Sequence, residues 1–454
     1  MEFKSINPAT GQSQDICAAI TDSGLAVTLS GAHAASAEWR MRDIADRAGL
    51  LVRAACVLRD NLEDFSRLMT LEMGKPIVEA RAEIEKSALG CEYYAEHGPG
   101  FLADEVIASD AGRSLVCYQP LGTVLAIMPW NFPFWQVFRF AAPALLAGNV
   151  CLLKHASNVP QCALAIQSVF EKAGFPEFVF STLMLPSSRV AGVIEDTRVH
   201  AVTLTGSEPA GRKVAATAGA QIKKSVLELG GSDPFIVLED ADLDLAVEAA
   251  VSSRFLNTGQ SCIAAKRFIV VDAIADQFVR RFRAAVEALT MGDPLDEHNR
   301  LGPMARHDLR DELHRQVVES VAQGAKAITG CSPEGGDGAY YQPSILDHVK
   351  PGMLAYHDEL FGPVASIIRA VDEADAVRIA NDTDFGLGGS VWTQDTGRGE
   401  RIARQLECGC AFVNGLVKSD PRLPFGGVKN SGYGRELSKH GIREFVNAKT
   451  IWIK

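Results

Sequence analysis

The spacing of apolar residues changes along the chain and predicts a mixed α/β protein. Residues 35–95 carry apolar positions at helical spacing. Short apolar runs follow at 123–128, 150–154 and 201–204, and each precedes a helical pattern. Strands that alternate with helices in this way are typical of parallel βαβ units. We therefore expect an α/β fold built on parallel sheets.

A second series of strands and helices begins after Gly231. A strand is predicted at 234–238, and Asp240 can cap a helix that leads to the loop of Cys262. At the end of the chain, residues 449–453 form an apolar pattern typical of an exposed strand. Because an unpaired edge strand promotes aggregation, we expect another subunit to cover it.

Composition and charge narrow the classes of function. The chain has 454 residues, so two or three domains are expected, and its 47% apolar and 22% charged residues indicate a soluble globular protein. The net charge of −11 disfavours binding to nucleic acids or anionic membranes. The most apolar stretch, 141–153, is interrupted by Pro143 and Gly148 and is too short to span a bilayer.

The cysteine and histidine patterns argue against disulfides and metals. The ten cysteines contain no C-x-x-C pair, which favours reduced thiols and a cytoplasmic location. The N-terminal segment lacks the apolar core of a secretory signal, so none is expected. The histidines are scattered without the spacing of metal ligands, so we expect no metal.

Two motifs carry the candidate chemistry, Glu228-Leu229-Gly230-Gly231 and Asn257-Thr258-Gly259-Gln260-Ser261-Cys262. Cysteine is the side chain most readily available as a nucleophile. A carboxylate without a histidine partner suggests a base that activates water rather than the thiol. The pair therefore predicts an enzyme that forms a thioester and hydrolyses it. The alternatives are a solvated glutamate in a turn and a cysteine that only packs.

Three further positions are candidates for binding. Gly206-Ser207 follows a predicted strand and opens a helix, and a helix N-terminus favours an anion, although an ordinary capped turn explains the pattern equally well. Lys154 ends a strand, where open α/β sheets bind ligands, or it is simply solvated. Asn131 lies in Pro129-Trp130-Asn131-Phe132-Pro133, where its amide could hold an oxyanion or only stabilise a turn.

These motifs together resemble the NAD(P)-dependent aldehyde dehydrogenase superfamily over nearly the whole chain. The motifs that carry the resemblance stand in one order along the sequence. They are Pro129-Trp130-Asn131-Phe132-Pro133, Lys154, Gly206-Ser207 with Gly211, Glu228-Leu229-Gly230-Gly231, Gly259-Gln260-Ser261-Cys262, Glu359-Leu360-Phe361-Gly362-Pro363 and Phe425-Gly426-Gly427-Val428-Lys429.

The resemblance implies a Rossmann-like cofactor domain, an α/β catalytic domain and a small β oligomerisation arm. The cofactor domain is expected at 1–101 and 121–230, the catalytic domain at 231–425, and the arm with its tail strand at 102–120 and 441–454. A homodimer or homotetramer is implied. The partner is a small-molecule aldehyde, and no nucleic acid or membrane is expected to bind.

The resemblance also implies roles for single residues. Cys262 would be the nucleophile and Glu228 the base, and the Asn131 amide with the Cys262 N–H would hold the oxyanion. Glu228 then favours hydrolysis of a thioester over transfer to coenzyme A. The residues expected to bind the cofactor are Lys154 and Glu359 on ribose hydroxyls, Ser207 on the pyrophosphate, Phe361 beside the nicotinamide, and Trp130, Ser157, Gly206, Gly211 and Leu229 around them.

The resemblance implies succinate semialdehyde as the substrate. This expectation rests on Arg139, which lies on the helix that should face the substrate tunnel. Succinate-semialdehyde dehydrogenases resemble this chain in having an arginine there, and a substrate carboxylate would supply the anionic partner that a buried arginine needs. Many of those enzymes carry a second arginine where this chain has Leu256. Ser419 could assist, and Phe132 and Phe425 are expected to line the site.

Two alternatives stay open for the substrate. Arg139 could pair with a protein carboxylate, which would leave an aldehyde dehydrogenase of other or broad specificity. A catalytically inactive member of the fold is disfavoured, because the nucleophile, the base and the oxyanion residue are all present.

The cofactor is expected to be NADP or NAD. Many relatives that prefer NAD have a glutamate at the position of Ser157, and that carboxylate would repel a 2′-phosphate. Ser157 removes this repulsion without excluding NAD. The position two residues after the nucleophile is Ala264, which rules out a disulfide with an adjacent cysteine there.

Overall fold

The N-terminal part of the chain forms a hairpin and four helices. The computed structural model describes residues 2–454, without the side chain of Asp15. Helix α2 buries Leu50, Leu51, Ala54 and Leu58, the apolar positions at helical spacing. These elements are β1 (Glu2–Ile6), β2 (Ser13–Ala18), α1 (Asp22–Trp39), α2 (Ile44–Asp60), α3 (Leu62–Met73) and α4 (Ile77–Phe101).

A short β arm, four βα units and a final strand β9 follow. The strands predicted at 123–128, 150–154 and 201–204 are confirmed as β5, β6 and β8. The elements are β3 (Glu105–Val106), β4 (Arg113–Pro120), β5 (Thr123–Met128), α5 (Trp135–Leu146), β6 (Val150–His155), α6 (Pro160–Lys172), β7 (Phe180–Thr182), a 3₁₀ turn (Ser187–Arg189), α7 (Val190–Glu195), β8 (Ala201–Thr205), α8 (Glu208–Ala220) and β9 (Lys224–Glu228).

The second series of strands and helices is also present. It comprises β10 (Asp233–Val237), α9 (Leu243–Phe255), a 3₁₀ turn (Leu256–Gly259), β11 (Ala265–Val271), α10 (Asp272–Glu287), α11 (His307–Ala322), β12 (Lys326–Thr329), β13 (Ser344–Asp347), α12 (Leu354–His357), β14 (Val364–Ala370), α13 (Glu373–Asn381), β15 (Gly388–Trp392), α14 (Thr396–Ala403) and β16 (Cys410–Val413). The chain ends with a 3₁₀ turn (Lys429–Ser431), β17 (Gly432–Tyr433), α15 (Ser438–Ile442) and β18 (Val446–Ile453).

Two large sheets confirm the predicted α/β fold class. The first has the order β17-β9-β8-β5-β6-β7, and the second has the order β12-β13-β14-β11-β10-β15-β16. All neighbours are parallel except β17 beside β9 and β12 beside β13. In the first sheet, β6 and β7 follow on one side of β5. The chain then returns to the other side of β5, where it adds β8 and β9. The crevice between β5 and β8 is therefore a topological switch point, where such sheets bind ligands.

The apolar tail is paired within its own chain. Strand β18 runs antiparallel to β4 along its length, from Val446 opposite Pro120 to Ile453 opposite Arg113, and β3 lies on the other side of β4. One edge of the tail is thus covered without a second subunit. Its other edge ends the three-stranded sheet, and coverage of that edge by another subunit stays a prediction, as does the division into domains.

The predicted cap of α9 was wrong by two residues. Asp242, not Asp240, occupies the N-cap and accepts N–H bonds from Asp244 and Leu245. The carboxylate of Asp240 instead accepts hydrogen bonds from Thr393, which ties the start of this segment to the end of β15. Across residues 2–454, the helices fall short of the length and apolar character that crossing a membrane requires.

Candidate active site

The loops after β5 and β8 open into one cavity at the switch point. The cavity has a volume of about 260 Å³ and is bounded on the far side by the cysteine loop. It brings together half of the predicted site residues from distant parts of the chain. Its lining comprises Pro129, Trp130, Asn131, Gln136, Thr205, Gly206, Ser207, Leu229, Gly230, Cys262, Leu309, Glu359 and Phe361.

The turn that precedes Cys262 has a strained backbone. Asn257 and Thr258 in the turn between α9 and β11 have positive φ angles of 53° and 54°. Left-handed backbone is unfavourable for a β-branched threonine and persists where the surroundings enforce it. The amide of Asn257 donates to the carbonyls of Asn131 and Gln260, at 2.7 and 3.1 Å, which fixes the cysteine loop against the loop after β5.

Two buried cations, Arg254 and Lys266, donate hydrogen bonds to backbone carbonyls at the cysteine loop. Arg254 donates to the carbonyl oxygens of Gly259 and Gly362, at 2.5 and 2.7 Å. Lys266 donates to the carbonyls of Ser261 and Cys262, both at 2.8 Å. Because these contacts satisfy several carbonyls at once, the backbone around the thiol is rigid. The analysis of the sequence missed both residues.

The resting thiol of Cys262 is protonated. Burial raises its pKa to about 12, and the positive charges of Arg139 and Lys266 only partly oppose that shift. The thiolate is the nucleophilic form of cysteine. Formation of the thiolate would therefore require a further positive charge or a base near the sulfur.

Both the nitrogen and the oxygen of the Asn131 side-chain amide form hydrogen bonds. Its nitrogen donates to the carbonyl of Gln260 at 3.1 Å, and its oxygen accepts from the amide of Gln136 at 3.1 Å. These two contacts orient the side chain, and an amide nitrogen carries a second N–H. The donor chemistry required for an oxyanion contact is therefore present beside the cysteine loop.

Glu228 ends β9 as a buried carboxyl group. Neither of its oxygens forms a hydrogen bond with any residue in the described range 2–454. Burial raises its pKa well above the ordinary value, and the neighbouring Glu436 raises it further. A Cβ at Gly426 would lie 2.6 Å from Oε1 of Glu228, so the glycine-rich loop gives this carboxyl its room. A raised pKa makes the ionised form of this carboxyl a stronger base.

Arg139 has an anionic partner within the protein, and its expected role in binding a substrate carboxylate stays a prediction. Its guanidinium forms a buried ion pair with Glu436, and one nitrogen donates to Thr205 at 3.3 Å. The guanidinium also lies 4.8 Å from the ring centre of Phe425, which fills the space beside it. The anionic partner that a buried arginine needs is thus a protein carboxylate, and none of these contacts leaves Arg139 dependent on a substrate carboxylate.

The N-terminus of α8 offers an anion site. Ser207 is the N-cap residue and is exposed, yet its side chain makes no capping hydrogen bond. The first N–H groups of a helix have no partners within it and attract anions. Gly211 on the next turn permits close packing, because a Cβ there would lie 2.6 Å from Leu229.

Glu359 and Phe361 lie where strand β9 leaves the first sheet. Glu359 accepts an N–H bond from Gly231 at 3.2 Å and pairs with Lys266 at 3.1 Å. A side chain at Gly230 would collide with its carboxylate, which explains the glycine. The ring of Phe361 meets Trp130 edge to face, with 5.8 Å between centroids.

A second cavity contains two further expected cofactor residues. Lys154 and Ser157 line a space of about 820 Å³ beyond the end of β6. Burial lowers the pKa of Lys154, and none of residues 2–454 forms a salt bridge with it. His155 is structural, because its ring bonds the carbonyl of Pro133 at 3.0 Å and burial lowers its pKa to about 4.

Two further expected substrate residues, Ser419 and Phe132, each contact a lysine. Ser419 is buried and accepts a hydrogen bond from the indole of Trp135 at 2.9 Å and another from Lys86 at 2.7 Å. Phe132 stacks against Lys75, whose nitrogen lies 3.9 Å from the ring centre. Lys86 was not singled out in the sequence. Over residues 2–454, no group of histidine, cysteine or acidic side chains has the arrangement of a metal site.

The parallel sheet, with Cys262 and the oriented amide of Asn131 in the cavity at its switch point, is the arrangement expected of the aldehyde dehydrogenase family. The chain belongs to that family, which it matches over residues 1–451.

Three relatives show how close the match is. The chain is 51% identical to "Succinate semialdehyde dehydrogenase (NAD(P)+) Sad" of Escherichia coli, over 99% of this chain and 97% of that one. It is 50% identical to "Succinate-semialdehyde dehydrogenase (NADP+) 1" of Mycobacterium ulcerans, over the full length of both. A solved structure of the Streptococcus pyogenes succinic semialdehyde dehydrogenase with NADP+ is 36% identical and superposes with a TM-score of 0.98, over 99% of each chain.

Proposed function

We propose that this chain oxidises succinate semialdehyde to succinate with NADP or NAD. One observation carries the proposal: Cys262 and Asn131 line one cavity, and the charge of Glu228 acts on the Cys262 thiol, in a chain that is 51% identical over 99% of its length to a named succinate semialdehyde dehydrogenase. Identity at this level over the whole length supports a shared substrate class as well as a shared fold.

The residues around the two cavities fit a dinucleotide. Ser207 and the first turn of α8 would hold the pyrophosphate, and Lys154 with Ser157 would bind the adenosine ribose. Glu359 would bind the other ribose, with Leu229 and Phe361 beside the nicotinamide. When bound, NADP or NAD supplies a hydride acceptor. Ser157 places no negative charge at the ribose, which is consistent with a 2′-phosphate.

Cys262 would perform the first chemical step. Its sulfur attacks the aldehyde carbon as the thiol proton passes to solvent water, and a tetrahedral thiohemiacetal forms. The second N–H of Asn131 and the backbone N–H of Cys262 would stabilise the oxyanion. Loss of a hydride from this adduct leaves a thioester on Cys262.

Glu228 would perform the second step. Its carboxylate removes a proton from water, and the resulting hydroxide attacks the thioester carbon and releases the acid and the cysteine thiol. The raised pKa of Glu228 keeps the group basic enough to do so. Thr205 and Glu436 are committed to Arg139, so this arginine fixes the surroundings of the base.

The ion pair of Arg139 favours a second candidate, an aldehyde dehydrogenase of other or broad specificity. The two candidates differ in one measurement. Steady-state kcat/KM for succinate semialdehyde and for butanal, each with NADP and NAD, should favour the acidic aldehyde by more than tenfold. Equal values for the two aldehydes would refute the proposed substrate. Cys262→Ala should be inactive with both, whereas Cys56→Ala, at an exposed site, should behave as wild type.

We further propose a homodimer or homotetramer in the cytoplasm. The open edge of β18, with Trp452 and Ile453 each about half exposed, supports a subunit contact there. Sedimentation of the wild type and of Trp452→Lys tests the assembly: the variant should dissociate, and an unchanged sedimentation coefficient would contradict this contact.

A further inference from the structure

We propose that Glu79 is a positioning residue for the nucleophile: its carboxylate, on helix α4, holds the left-handed turn that places Cys262 beside Asn131. The inference goes beyond the proposed function, because it concerns the first chemical step with any aldehyde.

The turn before Cys262 depends on a contact from a distant part of the chain. Helix α9 ends with Leu256 as its C-cap, and the backbone N–H of the next residue, Asn257, donates to Oε2 of Glu79 at 2.6 Å. This bond joins residues that are 178 positions apart. Because the positive φ angles of Asn257 and Thr258 are unfavourable, a charged acceptor for this N–H stabilises a turn that the local sequence disfavours.

Asn257 connects Glu79 to the reacting groups. Its carbonyl accepts the backbone N–H of Gln260 at 3.0 Å and the side-chain amide of Gln260 at 3.1 Å. Its own side-chain amide donates to the carbonyls of Asn131 and Gln260. Gln260 lies two residues before Cys262, and its carbonyl also accepts the amide of Asn131. A shift of the Asn257 backbone should therefore displace the sulfur relative to the oxyanion donor.

A second acid on α4 holds the neighbouring part of the site. Glu83 follows Glu79 by four residues, so the two side chains lie on the same face of the helix. Oε1 of Glu83 accepts the N–H groups of Phe134 and Trp135 at 2.9 and 3.0 Å, where α5 begins. Its other oxygen pairs with Lys75. One helix thus fixes both the cysteine turn and the start of α5, and Glu79 is its contact with the turn.

The charges around Glu79 allow it to titrate near neutral pH. Burial raises the pKa of Glu79 to about 7. The N–H of Asn257 opposes this shift, as do the positive charges of Lys75 and Arg300, and the negative charge of Glu83 adds to it. An ionised acceptor forms a hydrogen bond roughly twice as strong as a neutral one. The hold on the turn should therefore weaken as the pH falls through the pKa, and a glutamine should reproduce the weakened state.

Single-turnover formation of NADPH, with enzyme in excess over aldehyde, tests the inference, because hydrolysis of the thioester takes no part in it. At about pH 8, Glu79→Met should slow hydride transfer from succinate semialdehyde and from butanal alike, by about 10–100-fold, since the N–H of Asn257 loses its acceptor. Glu79→Gln keeps a neutral acceptor and should be slower by only about 3–10-fold. Glu96→Met, at an exposed position of the same helix, is the matched control and should equal the wild type.

The pH dependence separates positioning from a purely structural role. The ratio of the wild-type rate constant to that of Glu79→Gln should fall towards 1 by about pH 5.5, because the wild-type carboxyl is then protonated too. Titrations of Cys262 and Glu228 are common to both proteins and cancel in this ratio. The Kd of NADP, measured by quenching of tryptophan fluorescence, should stay within about twofold in all variants.

Three results would overturn the role of Glu79. They are a Glu79→Met variant as fast as the wild type, a ratio for Glu79→Gln that does not change with pH, and a loss of rate that follows a loss of NADP affinity. If the methionine variant does not fold, the pH dependence of Glu79→Gln alone decides. A wild type that oxidises butanal but not succinate semialdehyde would overturn the proposed substrate, and the butanal rates would still test Glu79.

Discussion

Replacement of Arg139 by methionine removes one partner of a buried ion pair. The side chains of Arg139 and Glu436 are 3% and 5% exposed, so water cannot take the place of the lost guanidinium. Breaking a buried pair by removing one partner costs about 3–5 kcal/mol. Methionine retains the apolar contact with Phe425, so the loss is mainly one of charge. We expect Arg139→Met to lower the free energy of unfolding by about this amount near neutral pH.

The loss should depend on pH through Glu436. Burial raises the pKa of Glu436, and Arg139 opposes the shift, so the pKa rises further when the arginine is removed. In the unfolded chain the pKa stays near about 4.3. The raised pKa of Glu436 therefore leaves the stability of Arg139→Met unaffected below the pKa of the unfolded chain. The stability of the variant falls as the pH rises from that value to the pKa of Glu436 in the folded protein. The deficit of Arg139→Met should be small near about pH 4.5 and grow towards neutral pH.

Urea unfolding followed by circular dichroism, at several pH values, measures this deficit. Arg139→Met/Glu436→Gln removes both charges and should regain most of the stability. Arg404→Met, in an exposed pair with Glu400, should cost less than about 1 kcal/mol. A deficit that does not change with pH, or a double variant no more stable than the single one, would refute the reasoning. So would a loss of activity confined to succinate semialdehyde, because the paired arginine is predicted to affect acidic and neutral aldehydes alike.

Two further predictions concern the cofactor and the thiol. Ser157→Glu should raise KM for NADP by at least tenfold with little change for NAD, because a carboxylate beside Lys154 repels a 2′-phosphate. Steady-state kinetics with both cofactors measures the two KM values. An equal rise in both would contradict this prediction. Since the pKa of Cys262 is about 12, its alkylation by iodoacetamide in the free enzyme should speed up about tenfold per pH unit through neutral and mildly alkaline pH. Peptide mass spectrometry follows the modification, and a plateau near about pH 8 would show an already activated thiol.

The strands and the loops that follow them could be predicted from the sequence. Apolar runs gave β5, β6 and β8, because buried parallel strands are apolar on both faces. Asn131 and Ser207 follow the carboxyl ends of neighbouring strands, so their meeting at one crevice follows from the fold class.

Residues that act through distant partners could not be predicted in this way. The carboxylate that pairs with Arg139 comes from Glu436, far along the chain, and no local pattern links the two. In the sequence, Lys86 is an ordinary polar position of a helix. Only the fold shows that it contacts Ser419 and Trp135. Lys266 did leave a signal, since it is a charged residue near the start of β11, four residues after the cysteine.

The central claim is that Cys262 carries the acid as a thioester which Glu228 then releases. Mass spectrometry of Glu228→Gln, mixed with succinate semialdehyde and NADP and quenched, tests it most directly. The variant should form about one NADPH per subunit in a burst and hold a succinyl group on the peptide of Cys262, while steady turnover falls by about 10²–10⁴-fold. Wild-type turnover in the variant, or a burst without a succinyl group on that peptide, would contradict the account.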